Sequence, residues 1–228
     1  MVVVRYETDG ALDKTFDDDG IAVLTFDGLL ASVKDIEIQA DGKIVLAGSA
    51  SADSGGGPIF PDFAVARLNS DGSPDLAFAS VGKVLTGFGV ASEANGLVIQ
   101  PDGKIVMTGR ILIPFFGPGF PTDFSDLALA RYNADGSLDT SFNGSGKVIV
   151  DVSDSTNYGE AVAVQSDGKI VVAGLISIGP GENAELLARF EANGLLDSSF
   201  GSDGVAITPG GWGTDAAIQQ DGKIVVAR

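Results

Sequence analysis

The chain has 228 residues, of which 44% are hydrophobic and 20% charged, so its composition predicts a folded globular protein with enough residues for a sizeable core. Its formal net charge of −17 makes binding to the phosphate backbone of a nucleic acid unfavourable. The sequence contains no cysteine and no histidine, which excludes cysteine nucleophiles, histidine bases and the common zinc sites. Any metal would need oxygen ligands, and we predict no metal or other cofactor.

The first predicted element is an apolar strand over residues 2–6, which follows Met1 directly. We therefore expect no signal peptide in this sequence, although an export signal could lie outside it. Apolar runs along the chain are all shorter than the roughly 18–20 residues of a membrane-spanning helix, so we predict no membrane insertion.

A sequence motif that begins in this first strand occurs four times. It consists of an arginine, an aspartate eight residues later and a phenylalanine eleven residues after the arginine. The copies are Arg5, Asp13 and Phe16; Arg67, Asp75 and Phe78; Arg131, Asp139 and Phe142; and Arg189, Asp197 and Phe200. We predict that the arginine ends a strand and that the aspartate caps a turn by accepting a backbone N–H. We interpret the pair as an Arg–carboxylate bond at a corner of the fold; the alternative is a charged ring that binds an anion in a central channel.

A second sequence motif, Asp-Gly-Lys-Ile-Val, alternates with the first along the chain. It begins at Asp41, Asp102, Asp167 and Asp221, at intervals of 61, 65 and 54 residues. Asp-Gly between two β-rich runs predicts a type I′ hairpin, and the apolar run after the turn predicts a strand buried on both faces. We interpret the lysine as a solvated flank of the hairpin.

A strand after each corner phenylalanine completes a unit of four short antiparallel strands, which is one blade of a β-propeller. We place the blades of a single domain (residues 1–228) at 20–69, 82–133, 146–191 and 204–228, the last completed by residues 2–6. The predicted fold is an all-β, four-bladed β-propeller that closes by pairing its N-terminal strand with its C-terminal strand. A monomer is expected, and the alternative is a strand-swapped homodimer that forms an eight-bladed ring.

The two motifs together resemble the repeats of a known family. Residues 164–174 (VQSDGKIVVAG) and 129–142 (LARYNADGSLDTSF) are similar to the delta-60 repeat, a bacterial β-propeller domain of unknown function, and the resemblance covers essentially the whole chain. The family occurs mostly in large secreted or surface proteins, which implies an extracellular or cell-surface location. It has no assigned catalytic residues, so the resemblance implies no site. The last copy departs from the pattern, with Asn193 at the turn and Arg228 where the other copies have glycine.

Three insertions interrupt the repeats at the same point, over residues 49–62, 111–126 and 175–185, and should emerge on one face. The second contains Phe115, Phe116 and Phe120, which we predict to bind a partner or, alternatively, to cover a blade. Trp212 is a further candidate, because an exposed indole could stack on a sugar ring, although packing between blades is the alternative. The acidic run Asp17-Asp18-Asp19 is interpreted as a turn rather than a calcium loop, because its carboxylates are consecutive and no distal Glu follows.

These features predict a non-catalytic binding or scaffold module with a protein or polysaccharide partner that binds the long loops. One alternative is a purely architectural spacer between parts of a larger protein. The other is a metal-dependent propeller hydrolase or lactonase, which the absence of histidine disfavours.

Overall fold

The computed structural model describes residues 1–51, 61–113, 124–152 and 155–228. Over these ranges the regular elements are sixteen β-strands, and every strand pair is antiparallel. The described part of the chain includes no helix that could cross a membrane.

The strands form three four-stranded sheets, which we call blades, and two two-stranded sheets, which we call half-blades. The N-terminal half-blade contains β1 (Val2–Val4) and β2 (Ile21–Val23). The first blade contains β3 (Leu30–Ile38), β4 (Ile44–Ser51), β5 (Asp62–Leu68) and β6 (Lys83–Thr86). The second contains β7 (Ser92–Ile99), β8 (Ile105–Ile113), β9 (Phe124–Tyr132) and β10 (Lys147–Val150). The third contains β11 (Asn157–Val164), β12 (Ile170–Gly179), β13 (Glu182–Phe190) and β14 (Val205–Pro209). The C-terminal half-blade contains β15 (Asp215–Ile218) and β16 (Ile224–Ala227).

The prediction of an all-β chain of antiparallel blades is confirmed, but the sheets are offset by one strand from the predicted blade boundaries. The strand after each corner phenylalanine pairs with the strand before that corner, as β6 does with β5. The corner is short enough to return the chain alongside the strand it leaves, and Arg67 N donates to Gly82 O at 2.8 Å. Each end of the chain therefore holds two strands of an incomplete blade.

The hairpins between the first two strands of each blade are not type I′ turns. In the first blade Gly42 N donates to Gln39 O at 2.9 Å, and Gln39 N donates to Lys43 O at 2.8 Å. Of the Asp-Gly pair only the glycine has a positive φ, +83°. This is the three-residue hairpin in which a type I turn is followed by a left-handed glycine. The preceding Asp41 remains in the right-handed region and accepts the Lys43 N–H on its carboxylate at 3.2 Å.

The apolar core lies between adjacent blades. All eight residues of β4 are buried, as the unbroken apolar run predicted. One cluster joins Val45 and Phe63 of the first blade to Met107 of the second, and another joins Leu127 of the second to Val172 of the third. Because both faces of the middle strands are covered, alternation between polar and apolar residues is absent there.

The predicted pairing of the two chain ends is not confirmed: β1 pairs with β2, and β15 with β16. Each half-blade instead docks on its neighbouring blade. The N-terminal half-blade buries Val3 and Phe16 in a cluster with the first blade. At the other end, Gly213 N donates to Gly174 O of the third blade at 3.0 Å. The structure is therefore unclosed, with one half-blade docked on the first blade and the other on the third.

Candidate functional site: a polar axial groove

The repeated Arg–Asp pairs form the corners of the blades, as the structural interpretation predicted. In all four copies the arginine Nε lies 2.6–2.7 Å from the aspartate Oδ2. The guanidinium carbon also lies 4.4–4.7 Å from the ring centroid of the corner phenylalanine. Arg67 and Arg131 further donate to carbonyl oxygens of the following blade, those of Ala134 and Ala192. The corners therefore hold the scaffold together.

Three of the four hairpin lysines also belong to these corners, which corrects their interpretation as solvated flanks. The fourth, Lys223, contacts Asp221 and has a side chain that is 74% exposed, as predicted for a solvated flank. Lys43, Lys104 and Lys169 place Nζ 2.7–3.0 Å from the corner aspartates Asp75, Asp139 and Asp197. The ammonium of Lys169 and the hydroxyl of Ser199 hold the pKa of Asp197 well below its usual range. At the N-terminal corner, bonds from Thr15 lower the pKa of Asp13 to about 2. At neutral pH these carboxylates are therefore ionised and bound to the cations of the corners.

A groove of about 740 Å³ lies along the first strands of the blades, a size typical of ligand-binding clefts. It is lined by β3, β7, β11 and β15, with Arg110 from β8. The lining residues are Lys34, Asp35, Ile36, Glu37, Glu93, Asn95, Leu97, Arg110, Tyr158, Glu160, Ala161, Val162, Thr214, Asp215 and Ala216. The surface is therefore polar and carries charges of both signs.

A β-bulge in each complete blade adds one polar residue to the groove. The pairing between the first and second strands skips Lys34, Asn95 and Glu160 in turn, and all three line the groove. Opposite each bulge the second strand has a glycine, at Gly48, Gly109 and Gly174. A Cβ on any of these would lie 1.9–2.0 Å from a carbonyl oxygen of the bulged strand. The bulges thus re-aim side chains at the groove and require glycine across from them.

One end of the groove carries an ion pair against an aromatic ring. Arg110 donates from Nε and Nη2 to Oε2 of Glu93, at 3.0 and 2.6 Å. Its guanidinium carbon lies 5.6 Å from the ring centroid of Tyr158. Arg110 lies near the end of β8, which ends at Ile113.

The groove carboxylates have different tasks. Asp35 accepts the Leu97 N–H at 2.8 Å and Glu37 accepts the Ile99 N–H at 2.9 Å, so both join the first blade to the second. Glu160 is half-buried, and burial raises the pKa of its carboxyl although Arg110 and Lys34 partly offset this. Within the described ranges no hydrogen bond involves its carboxylate. Glu160 therefore retains hydrogen-bonding capacity for a ligand.

Of the four residues predicted to bind a partner, the structure describes Trp212. Phe115, Phe116 and Phe120 lie outside the described residues. Trp212 precedes β15 and is 47% exposed, at the same point in its repeat as Glu93 and Tyr158. The third insertion is not a loop, because β12 and β13 extend through it as a hairpin.

The groove was not predicted from the sequence, although the repeats contain a signal for it. The residue seven positions before each hairpin aspartate is Lys34, Asn95, Glu160 and Thr214 in turn. A position that serves the scaffold should keep one type of residue from copy to copy, as the corner arginine does. Positions that vary in charge within an otherwise repeated strand mark where symmetry is broken.

The acidic run near the N-terminus forms a turn in this structure. Asp17 and Asp18 have positive φ, and the Asp19 carboxylate accepts the Ile21 N–H at 2.8 Å. Among the described residues no group of three or more acidic side chains is arranged to hold a metal ion.

Comparison with known proteins supports the propeller architecture. A family model described as a domain of unknown function (DUF5122) beta-propeller matches residues 39–78, 122–142 and 165–200. This match agrees with the resemblance at the level of a propeller repeat and leaves the narrower delta-60 assignment a prediction. No curated protein matches the chain.

Two solved structures share the fold at low identity. A protein of unknown function from Dyadobacter fermentans DSM 18053 has 14% identity and a TM-score of 0.55, over 99% of this chain and 64% of that one. A mutant of Trypanosoma rangeli sialidase that displays trans-sialidase activity has 13% identity and a TM-score of 0.50, over 99% of this chain and 36% of that one. The chain thus spans less than two thirds of either neighbour. At these identities the likeness concerns the fold and carries no information about activity.

Proposed function

We propose that this chain is a non-catalytic binding module whose axial groove takes a segment of a neutral polysaccharide. The observation that carries the proposal is the groove lining, which differs between blades while the corners repeat. Asn95 also joins the second blade to the third, since its Nδ2 donates to Gly159 O at 2.9 Å. Residue types that change from copy to copy are nevertheless not fixed by the repeated scaffold, so recognition of a ligand is a role they can serve.

The chemistry of the lining favours a carbohydrate. Glu160 can accept hydrogen bonds from sugar hydroxyls, Lys34 and Asn95 can donate to sugar oxygens, and Tyr158 offers an aromatic face. The lining contains more carboxylates than cations, and the chain carries a net charge of −17, so a neutral polymer is favoured over an acidic one. An extracellular or cell-surface location, as the family resemblance implies, would place the module where polysaccharides occur.

Binding is tested by isothermal titration with neutral hexasaccharides of glucan, xylan, mannan and chitin. We expect at least one of them to bind, and Glu160→Ala to weaken that binding about tenfold, the effect of losing roughly 1.4 kcal/mol of hydrogen bonding to a charged group. Glu7→Ala, at an exposed carboxylate outside the groove, should leave binding unchanged.

Two outcomes would contradict the proposal. Failure of every hexasaccharide to bind would favour the architectural spacer. Equal loss of affinity in Glu160→Ala and Glu7→Ala would place the ligand outside the groove. The contribution of Phe115, Phe116 and Phe120 stays a prediction, to be tested with the triple alanine variant in the same titration.

A further inference from the structure

A second cavity, of about 400 Å³, adjoins the groove at the first blade. Ser32, Ser49 and Ser51 line this cavity, which we call the serine pocket. Lys34 and Glu93 line both the serine pocket and the groove. A ligand that lies in the groove can therefore continue into the serine pocket without leaving the protein surface.

The three serines lie on one face of the hairpin formed by β3 and β4. Ser32 pairs directly with Ser49, and Ser51 follows two residues later on the same side of its strand. Ser49 Oγ accepts the Ala94 N–H of the second blade at 3.2 Å, and as a hydroxyl it can also donate a hydrogen bond.

Ser51 carries the strongest sign that the pocket takes a polar ligand. Its side chain lines the pocket, and the residue is only 8% exposed. Within the described part of the chain, no hydrogen bond involves its hydroxyl. A nearly buried hydroxyl that lacks a partner costs free energy, and a ligand that binds it recovers that free energy.

The pair that contains Ser32 and Ser49 has a different chemistry in each complete blade. The equivalent pairs lie nine residues before the hairpin aspartate on the first strand and eight residues after it on the second. In chain order the pairs are Ser32↔Ser49, Glu93↔Arg110 and Tyr158↔Leu175. Two hydroxyls, an ion pair, and an aromatic ring beside an aliphatic side chain thus take the same place in successive blades. The repeated scaffold does not fix the residue types at this position.

These three pairs form a continuous row across the first strands. β3 contacts β7, and β7 contacts β11. Glu93 lines the serine pocket of the first blade, while its partner Arg110 lies over the ring of Tyr158 in the third, 5.6 Å from the ring centroid. The row therefore leads from hydroxyls, through an ion pair, to an aromatic ring.

The chemistry of the row matches that of a sugar chain. Sugar hydroxyls both donate and accept hydrogen bonds, as serine hydroxyls do, and the ion pair offers donors on Arg110 and acceptors on Glu93. The ring of Tyr158 can pack on the C–H face of a sugar unit. A single polysaccharide chain presents both features, hydroxyls at the edges of its rings and C–H groups on their faces.

We infer that the polysaccharide crosses the first strands of the three complete blades, with one sugar unit in the serine pocket and another on Tyr158. This inference rests on the proposed function and names a second binding site for the same ligand. It also makes affinity depend on chain length, because only a ligand that reaches from the serine pocket to Tyr158 makes both contacts.

Isothermal titration with the disaccharide and hexasaccharide of glucan, xylan, mannan and chitin tests the inference. The double variant Ser32→Ala/Ser51→Ala should bind the hexasaccharide about tenfold more weakly, the effect of losing two hydrogen bonds between neutral groups. Ser51→Ala alone, which removes only the unpaired hydroxyl, should weaken it about threefold. Ser177→Ala is the matched control and should leave binding unchanged, because Ser177 has the position of Ser51 in the third blade but lines neither the groove nor the serine pocket.

A variant at the other end of the row tests whether one ligand spans it. Tyr158→Leu removes the aromatic ring and retains an apolar side chain, and it too should weaken hexasaccharide binding. The disaccharide is too short to make both contacts, so its affinity should fall in the double serine variant or in Tyr158→Leu, but not in both. Circular dichroism spectra identical to that of the wild type show that the variants fold.

The outcomes separate this inference from the proposed function. If Glu160→Ala weakens hexasaccharide binding but the serine variants or Tyr158→Leu do not, the inference is wrong and the groove remains the binding site. A disaccharide that loses affinity in both variants also overturns the inference, because one short ligand would then contact both positions. If no hexasaccharide binds, or if Glu160→Ala and Glu7→Ala weaken binding equally, the proposed function and the inference are both overturned.

Discussion

At each complete corner, one aspartate carboxylate serves two cations. Asp139 Oδ2 accepts from Arg131 Nε at 2.7 Å and from Lys104 Nζ at 2.9 Å, while Oδ1 accepts the Ser141 N–H and hydroxyl. The side chains of Asp139 and Arg131 are only 7% and 6% exposed. Loss of the carboxylate would leave a nearly buried guanidinium without its counter-charge, which is costly.

We expect Asp139→Asn to lower the free energy of unfolding by about 3 kcal/mol at pH 7, since the amide has no negative charge and its NH2 group cannot accept the hydrogen bonds made to one of the two carboxylate oxygens. Urea unfolding followed by circular dichroism measures the change. Asp102→Asn is the matched control, because Asp102 contacts the same Lys104 at 3.9 Å but is 58% exposed, so its loss should cost less than about 1 kcal/mol.

The same variant should alter the pH dependence of stability. Burial raises the pKa of Asp139. Hydrogen bonds from Ser141 and Lys104 and the charge of Arg131 lower this pKa by more than burial raises it, so the pKa in the folded state lies well below its usual value. The resulting stabilisation is fully present above the unfolded pKa of about 3.9 and is lost as the pH falls toward the folded pKa. The difference between wild type and Asp139→Asn should therefore shrink below about pH 4. A difference that stays constant down to pH 2 would show that the charge of Asp139 contributes no stability.

At the scale of the strand, the bulge and its facing glycine form one unit. In the third blade the pairing skips Glu160, and Gly174 of β12 lies opposite the distorted segment. A Cβ at Gly174 would lie 1.9 Å from Tyr158 O, a distance that requires the backbone to move. This carbonyl is part of the sheet backbone. The strand therefore cannot move without breaking hydrogen bonds of the sheet or changing the direction of the Glu160 side chain.

We expect Gly174→Ala to destabilise the protein by about 3 kcal/mol, because the added methyl overpacks a rigid site. Gly179→Ala is the control in the same strand, since the nearest atom to its Cβ would be 3.7 Å away and its φ is not positive. That control should change stability by less than about 0.5 kcal/mol. Thermal and urea unfolding of the two variants provide the comparison, and equal stabilities would refute the role assigned to the bulge.

At the scale of the whole molecule, repulsion between the excess negative charges lowers the stability of the folded state. The corners neutralise part of the acidic charge locally, but a net charge of −17 remains on 228 residues. The Debye length falls from about 30 Å at 0.01 M salt to about 8 Å at 0.15 M, so added salt screens repulsion between distant carboxylates more than it weakens the nearly buried pairs.

We therefore expect the melting temperature to rise by about 2–4 °C between 0.01 M and 0.15 M NaCl, which corresponds to roughly 1 kcal/mol for a chain of this size. Sucrose at equal osmolality is the control, because it is uncharged and does not screen the charges of the protein. A melting temperature that falls with salt would mean that the ion pairs outweigh the net repulsion.

The blades and corners could be predicted because their signals are local. The Asp-Gly-Lys turn acts on a few neighbouring residues, and the arginine meets its aspartate only eight positions along the chain. The type of hairpin turn was predicted wrongly because Asp-Gly suits two turn geometries, and a single φ separates them. The blade boundaries were offset because the sequence does not show to which side of a corner a strand pairs.

The sequence by itself determined the repeat, the all-β class, the corner pairs and the acidic charge, since each depends on residue type and short spacing. Tertiary structure alone decided that the two ends do not pair with each other, that the bulges place Lys34, Asn95 and Glu160 at one groove, and that Asp35 and Glu37 join two blades. The reason is physical: those outcomes depend on the angle between packed blades, which is the sum of many small contacts. No short stretch of residues encodes such a sum.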